Sequence, residues 1–199
     1  MLNQFLQMYI KLFFVLTPFL VLSTFLAWTA SQSQAAKRQV AWRTLIAIAV
    51  ICTVLFLVGN HLFSLIGITL DAFRVGAGVL LMLSAIALVQ GKQFYESVGP
   101  GQDIAVVPLA IPVAVGPGTV GVLLVMGSEQ VNVTDQLVGG CALLAAIVSL
   151  GVLLFASSAI EKRLGQRGLN VLSKITGLVL TALSAQIVSQ GVKGLFLKS

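Results

Sequence analysis

Six apolar runs, separated by short connectors that hold nearly all the charge, leave this chain very few ways to fold. The runs fall at 5–29, 43–66, 73–90, 104–127, 137–160 and 173–197. Each is long enough to cross a bilayer, which takes about 20 mostly apolar residues in an α-helix. Of 199 residues, 58% are hydrophobic and 9% are charged, with a mean hydropathy of +1.04. A soluble domain clothes its surface with about 25% charged residues. The solvent against most of this surface must therefore be lipid, and the expected fold is an all-α membrane protein of six transmembrane helices. The connectors are too short for a soluble domain, so residues 1–199 read as a single membrane domain.

The net charge of +6 belongs to the same picture. With so few charges, Lys and Arg serve best at the cytoplasmic ends of spans, and no nucleic-acid partner is expected. Six crossings put Lys37, Arg38, Arg43, Lys92, Lys162, Arg163, Arg167 and Lys174 on one side, and Lys11, Arg74, Lys193 and Lys198 on the other. Eight against four places the first group inside and both termini outside. Treating segments one and four as re-entrant hairpins makes the split seven against five, a poorer asymmetry. Segment one carries its positive charges after the apolar run, so it reads as an uncleaved helix, not a signal peptide. Lys11, about two turns into it, is expected to snorkel outward.

Comparing the chain with itself exposes a repeat. Residues 74–91 align without gaps on 174–191, with Val79, Leu80, Leu83, Ser84, Ala85, Gln90 and Gly91 meeting identical residues 100 positions later. Pro18 and Pro117 correspond at an offset of 99. Halves of about 1–98 and 99–199 contain three spans each, an odd number, so the two must be inverted relative to one another. Inverted repeats are the architecture of many secondary transporters.

Segment four contains Pro108, Pro112 and Pro117, and the step Gly116-Pro117-Gly118 falls at its middle. An interior proline removes a hydrogen bond and costs about 3 kcal/mol. The three prolines therefore predict a break, with Gly116 as N-cap and Pro117 as first residue of a new half-helix. Segment one repeats the device with Thr17 as N-cap and Pro18 after it. Helices one and four are thus expected to be broken near mid-membrane. Each break would present free N–H groups and about half a positive charge to the interior. Such a site suits a carboxylate or a phosphate, and unwound backbone at that depth must be buried in protein or line a cavity. The candidate substrate-binding residues are Thr17, Pro18, Ser23, Pro112, Gly116, Pro117, Gly118 and Thr119. Thr24, Thr176, Thr181 and Ser184 could join the lining, although such residues also pack between helices.

The run Val107-Pro-Leu-Ala-Ile-Pro-Val-Ala-Val-Gly-Pro-Gly-Thr119 resembles the MarC family of bacterial inner-membrane proteins. Residues 63–78, Gly168-Leu-Asn-Val171 and Thr176-Gly-Leu178 are similar to the same family. The resemblance covers nearly the whole chain. It implies six spans, an inner-membrane location, and a place in the wider group that includes lysine and homoserine exporters. It also implies an association with neutral amino-acid transport for some members. One departure stands out: the family's first span usually carries Asn-Pro, then Gly and another Pro, where this chain has Thr17-Pro18 and Phe-Leu-Val-Leu-Ser-Thr24.

No enzyme constellation is present. His61 is the single histidine, and Cys52 and Cys141 lack CxxC spacing, so no metal site or cofactor is expected. Both cysteines lie inside apolar runs and read as small buried hydrophobes. A GxxxxGK[ST] phosphate loop is missing as well. All six acids, Asp71, Glu96, Asp103, Glu129, Asp135 and Glu161, fall at span ends or in connectors. Coupling to Na+ held by unwound carbonyls, to H+ through Asp71, or to nothing stays open, as does self-association. Asp71 and Arg74 read as a charge pair at the start of a helix. The expected function is a secondary carrier for a small zwitterionic solute, a neutral amino acid, moved by alternating access. A carrier of a phosphorylated lipid and a non-transporting assembly protein are the alternatives.

Overall fold

A computed structural model describes residues 2–91, 104–130 and 132–196, the side chains of residues 60 and 61 excepted. Lys92, Glu96, Asp103, Lys198 and the side chain of His61, which entered the arguments above, lie outside that description. Among the described residues all regular structure is helical. Seven α-helices follow one another: α1 (Leu2–Val15), α2 (Pro18–Trp28), α3 (Gln34–Ile66), α4 (Leu70–Gln90), α5 (Pro117–Ser128), α6 (Val133–Phe155) and α7 (Ser157–Phe196). Between α4 and α5, Ala105–Ala114 forms a wider coil.

Local chemistry sets several of these ends. Ser33 and Thr69 cap α3 and α4, their hydroxyls accepting from the amides of Ala36 (3.3 Å) and Ala72 (3.2 Å). Both helices stop at glycines in the left-handed region, Gly67 (φ 73°) and Gly91 (φ 71°), where glycine pays no Cβ penalty. Because Ser33 caps it, α3 starts nine residues before the apolar run at 43 and includes Lys37 and Arg38. α7 likewise begins well before residue 173 and turns sharply at Gly165 (φ 61°, ψ 174°).

Segment four departs furthest from an ordinary helix. In Ala105–Ala114 the amides of Leu109 and Val115 reach back five residues, to Ile104 (3.2 Å) and Ala110 (2.9 Å). The peptide bonds before Pro108 and Pro112 are cis, and Val107 and Ile111 have extended backbone. This coil meets α5 at an angle of 70°. The expected break at Gly116 is there; the wide coil before it is not something three prolines announce.

Contacts at the two ends establish how the chain runs. At one end Gln4 donates to Asp135 (3.0 Å), Arg74 to Glu129, and Gly191 and Gly194 lie against Asp71. Toward the other, Gln34 donates to Ser158, Gln166 to Ser23, and Thr44 to the carbonyl of Ala105. The ends of segments one and four therefore lie toward opposite ends of the bundle. Among the described residues five helical stretches are long and apolar enough to cross a bilayer, the broken Leu2–Trp28 among them, and the bent pair Ala105–Ala114 and Pro117–Ser128, taken as one span, makes six.

The broken segments sit in the middle. α5 is buried from Gly118 through Gly127, except for half-buried Val120. Phe25, Leu12, Leu16, Leu22 and Leu109 are fully buried around it. A helix apolar all round belongs in an interior. The four other spans keep outward faces such as Val54, Leu57, Leu144, Val148, Val152 and Leu178 for lipid. Glycines permit the closest crossings. A Cβ on Gly118 would stand 2.8 Å from Cα of Leu81, and one on Gly121 2.6 Å from Cβ of Ala77, so α5 lies directly on the α4 backbone. Between α4 and α7, Gly78 rests on Ser184 and Val188 while Gly177 rests on Ala85 and Val89. Of the cysteines, Cys52 is buried as expected, but Cys141 is exposed on α6. That position faces outward because the buried stripe of α6 runs through Gly139, Ala142, Leu143 and Ala146 instead.

Candidate functional site

Both breaks occur where the chain must leave backbone groups unpaired, and at each break one carbonyl accepts from a hydroxyl of the other. Thr17, in the left-handed region (φ 47°, ψ 54°), precedes Pro18 without capping α2 through its side chain. Its hydroxyl donates across the bundle to the carbonyl of Val113 (3.4 Å). Thr119, buried in the first turn of α5, donates to the carbonyl of Val15 (3.1 Å), the last residue of α1. The side-chain capping role expected of Thr17 is thus replaced by an interhelical one, because its left-handed backbone turns the hydroxyl away from the α2 amides. Each break supplies a hydroxyl for a carbonyl stranded at the other, which keeps unwound backbone viable at this depth.

The amides remain. The first helical bonds run from Val21 N–H to Thr17 O (3.0 Å) and from Val120 N–H to Gly116 O (2.9 Å). Earlier amides in the two helices, those of Phe19 and Leu20 and of Gly118 and Thr119, have no partner within their own helix. A cavity of about 420 Å³ lies where these two helix starts converge. The break itself lines it with Thr17, Pro112, Gly116, Pro117, Gly118 and Thr119. Leu20 of α2, Leu180 of α7 and a stripe of α4 made of Leu80, Leu81, Ser84 and Leu88 complete the walls. Six of the eight residues singled out from sequence are thereby brought together. Pro18 is buried outside the lining, and Ser23 lies further along α2, where it accepts a bond from Gln166 (2.6 Å). Thr176, Thr181 and Ser184 instead return their hydroxyls to carbonyls of their own helix, those of Leu172, Gly177 and Thr181.

Ser84 and the leucines of α4 are what the proline motif could not indicate. The signal for Ser84 was in the repeat, where Leu83-Ser84-Ala85 recurs at 183–185. Its hydroxyl donates to Leu80 O (2.9 Å) and keeps its oxygen free to accept. The side chains lining the cavity include no titratable group. The polar groups there are amide and hydroxyl dipoles set among leucines. Leu80 and Leu83 are 46% and 59% exposed, and Ser84 and Pro117 are exposed beside them, so the cavity opens sideways near the midpoint of α4.

The charges gather elsewhere. Arg74 bonds Asp71, three residues before it, and also Glu129 at the end of α5, through Nη2 (2.7 Å) and Nε (3.2 Å). The Asp71–Arg74 pair matches the sequence expectation; Glu129 as its third member does not follow from sequence, being 55 residues away.

The profile of the MarC family integral membrane proteins matches residues 2–196. UPF0056 membrane protein MJ1677 of Methanocaldococcus jannaschii is 31% identical over 98% of this chain and 99% of its own length. A UPF0056 membrane protein of Aquifex aeolicus is 30% identical over 96% of this chain and 93% of its own length. UPF0056 membrane protein YhcE of Escherichia coli is 28% identical over 96% and 92%. No solved structure matches.

Proposed function

This chain belongs to the MarC family of integral membrane proteins, and from that premise we propose that it is a secondary carrier for a small zwitterionic solute, a neutral amino acid. One observation carries the reading. Two helix N-termini enter a single cavity that no charged side chain lines, and they come from opposite ends of the bundle. The amides of Gly118 and Thr119 would hold the carboxylate, those at the start of α2 would approach from the far side, and the leucines would receive an apolar side chain. A cavity of this size suits a small solute. The halves 1–98 and 99–199 would rock about it as inverted repeats. The reciprocal seating of Gly78 on α7 and Gly177 on α4 supports that relation. The setting would be the inner membrane with both termini outside.

Counterflow of labelled alanine, glycine and serine into proteoliposomes tests the reading. Gly118 is a poor position to vary, because any side chain there strikes the backbone of Leu81. Ser84→Trp fills the cavity from its exposed rim, and Ile86→Trp, on the lipid face of the same helix, controls for bulk. Saturable uptake by the native chain, lost in Ser84→Trp and kept in Ile86→Trp, is the expected result. Absence of uptake for all three solutes would sink the amino-acid assignment. The sideways opening favours a second reading, a carrier of phosphorylated lipids, in which the same amides would hold the phosphate. No basic side chain lines the cavity to assist them, so scrambling of such lipids in the same vesicles ranks second.

A further inference from the structure

A second cavity, of about 350 Å³, lies at the end of the bundle where α1, α4, α5 and α7 meet. Lys11, Asp71, Arg74, Glu129, Gln190 and Lys193 line it. Three cations face two carboxylates there, leaving one positive charge in excess. Arg74 engages both carboxylates, whereas Lys11 joins no ion pair among the described residues. Nine residues from the start of α1, Lys11 stands about 14 Å along that helix. An ammonium at such depth is costly unless it reaches water or an anion, and the cavity lets it reach water. Both bonds from Arg74 fall on one oxygen of Glu129, Oε1, which leaves Oε2 able to accept another donor.

A narrow neck of about 40 Å³ adjoins this cavity. It shares Lys11, Glu129 and Gln190 with the outer cavity and Val15 with the central one. Val122, Met126, Leu183 and Ile187 make it an apolar constriction. Lys11 and Glu129 are its charged groups, and no charged side chain lines the central cavity.

We propose that the outer cavity is a second solute site, in which Lys11 receives the carboxylate and Oε2 of Glu129 the ammonium of an α-amino acid before it passes the constriction. By engaging Asp71 and Glu129, Arg74 keeps the fold's own acids from neutralising Lys11. A cation focused by low-dielectric walls then concentrates carboxylates at the neck. The identity of the solute rests on the carrier reading; the chemistry of the site does not.

Thiol labelling tests the site without requiring transport. In a Cys52→Ala, Cys141→Ala background, Gln190→Cys places the reporter in the outer cavity. Purified protein is treated with anionic sulfonatoethyl or cationic trimethylammonioethyl methanethiosulfonate. The anionic reagent should react faster, and Lys11→Gln should abolish that preference while Lys11→Arg retains it. Millimolar alanine should slow labelling about threefold, the effect of a ligand at about twice its Kd. The slowing should persist in Lys11→Arg and vanish in Lys11→Gln. A preference indifferent to Lys11, no slowing in the parent, or slowing that survives Lys11→Gln would each overturn the proposal. Slowing by alanine without counterflow would instead sink the carrier reading and leave the outer site standing; counterflow without slowing would do the reverse.

Discussion

At Thr17 the chain carries a β-branched residue at φ 47°, a conformation that only Gly, and to a lesser degree Asn and Asp, adopt readily. The cost is of order 1 kcal/mol or more, and the return is a single long hydroxyl bond to Val113 (3.4 Å). Thr17→Asn keeps a donor at this position and relieves the backbone, so it should stabilise the protein by about 1 kcal/mol, raising Tm by roughly 2–4 °C for a chain of this size. Thr17→Val keeps the strain and loses the donor; it should cost about 1 kcal/mol. Thermal unfolding in detergent measures both, and a Thr17→Asn variant less stable than the native chain would refute the account. Asparagine is also the residue that the family usually has before this proline, and the left-handed backbone supplies a physical reason for it. The break at Pro18 is legible in the sequence because proline and its neighbours act on their own backbone. What Thr17 does with its hydroxyl is not, since its partner lies 96 residues away.

Elements differ in the same way. Spans α4 and α6 match their apolar runs to within five residues because length and hydropathy define them. The stretch from Glu161 to Arg167 reads as a connector by charge, yet it is helical on both sides of one residue, Gly165. Its φ of 61° with ψ of 174° lies in a region open essentially to glycine. A Cβ there would meet nothing within 4 Å, so the cost of Gly165→Ala is conformational alone, about 1–3 kcal/mol. Gly140 of α6 is equally uncrowded but ordinarily helical, and Gly140→Ala should gain about 0.5–1 kcal/mol. Gly165→Ala should therefore lower Tm or speed amide exchange over 157–168, while Gly140→Ala does neither; equal behaviour of the two would show that the turn carries no constraint. A turn made by one glycine with no clash around it leaves no mark on hydropathy, which is why charge alone suggested a loop.

For the whole molecule, the course of the helices divides the described cations unequally between the two ends. Lys37, Arg38, Arg43, Lys162, Arg163, Arg167 and Lys174 belong to the end where Gln34 meets Ser158; Lys11, Arg74 and Lys193 belong to the end where Arg74 meets Glu129. The division follows from the order of the apolar runs, so the sequence already contains it. Which side each end faces is decided by the membrane, where excess Lys and Arg stay in the cytoplasm. All three residues at the sparser end stand in the outer cavity beside the acids, so their charge is partly offset there and weighs still less against the rule. In intact cells expressing a Cys52→Ala, Cys141→Ala background, Asn132→Cys should react with a membrane-impermeant maleimide. Ala35→Cys, exposed at the other end, should react only after permeabilisation. The reverse pattern would invert the protein in its membrane, leaving the fold intact but turning the Lys11 cavity toward the cytoplasm, where it would serve solute leaving the cell. Labelling of both from outside would contradict the six crossings themselves.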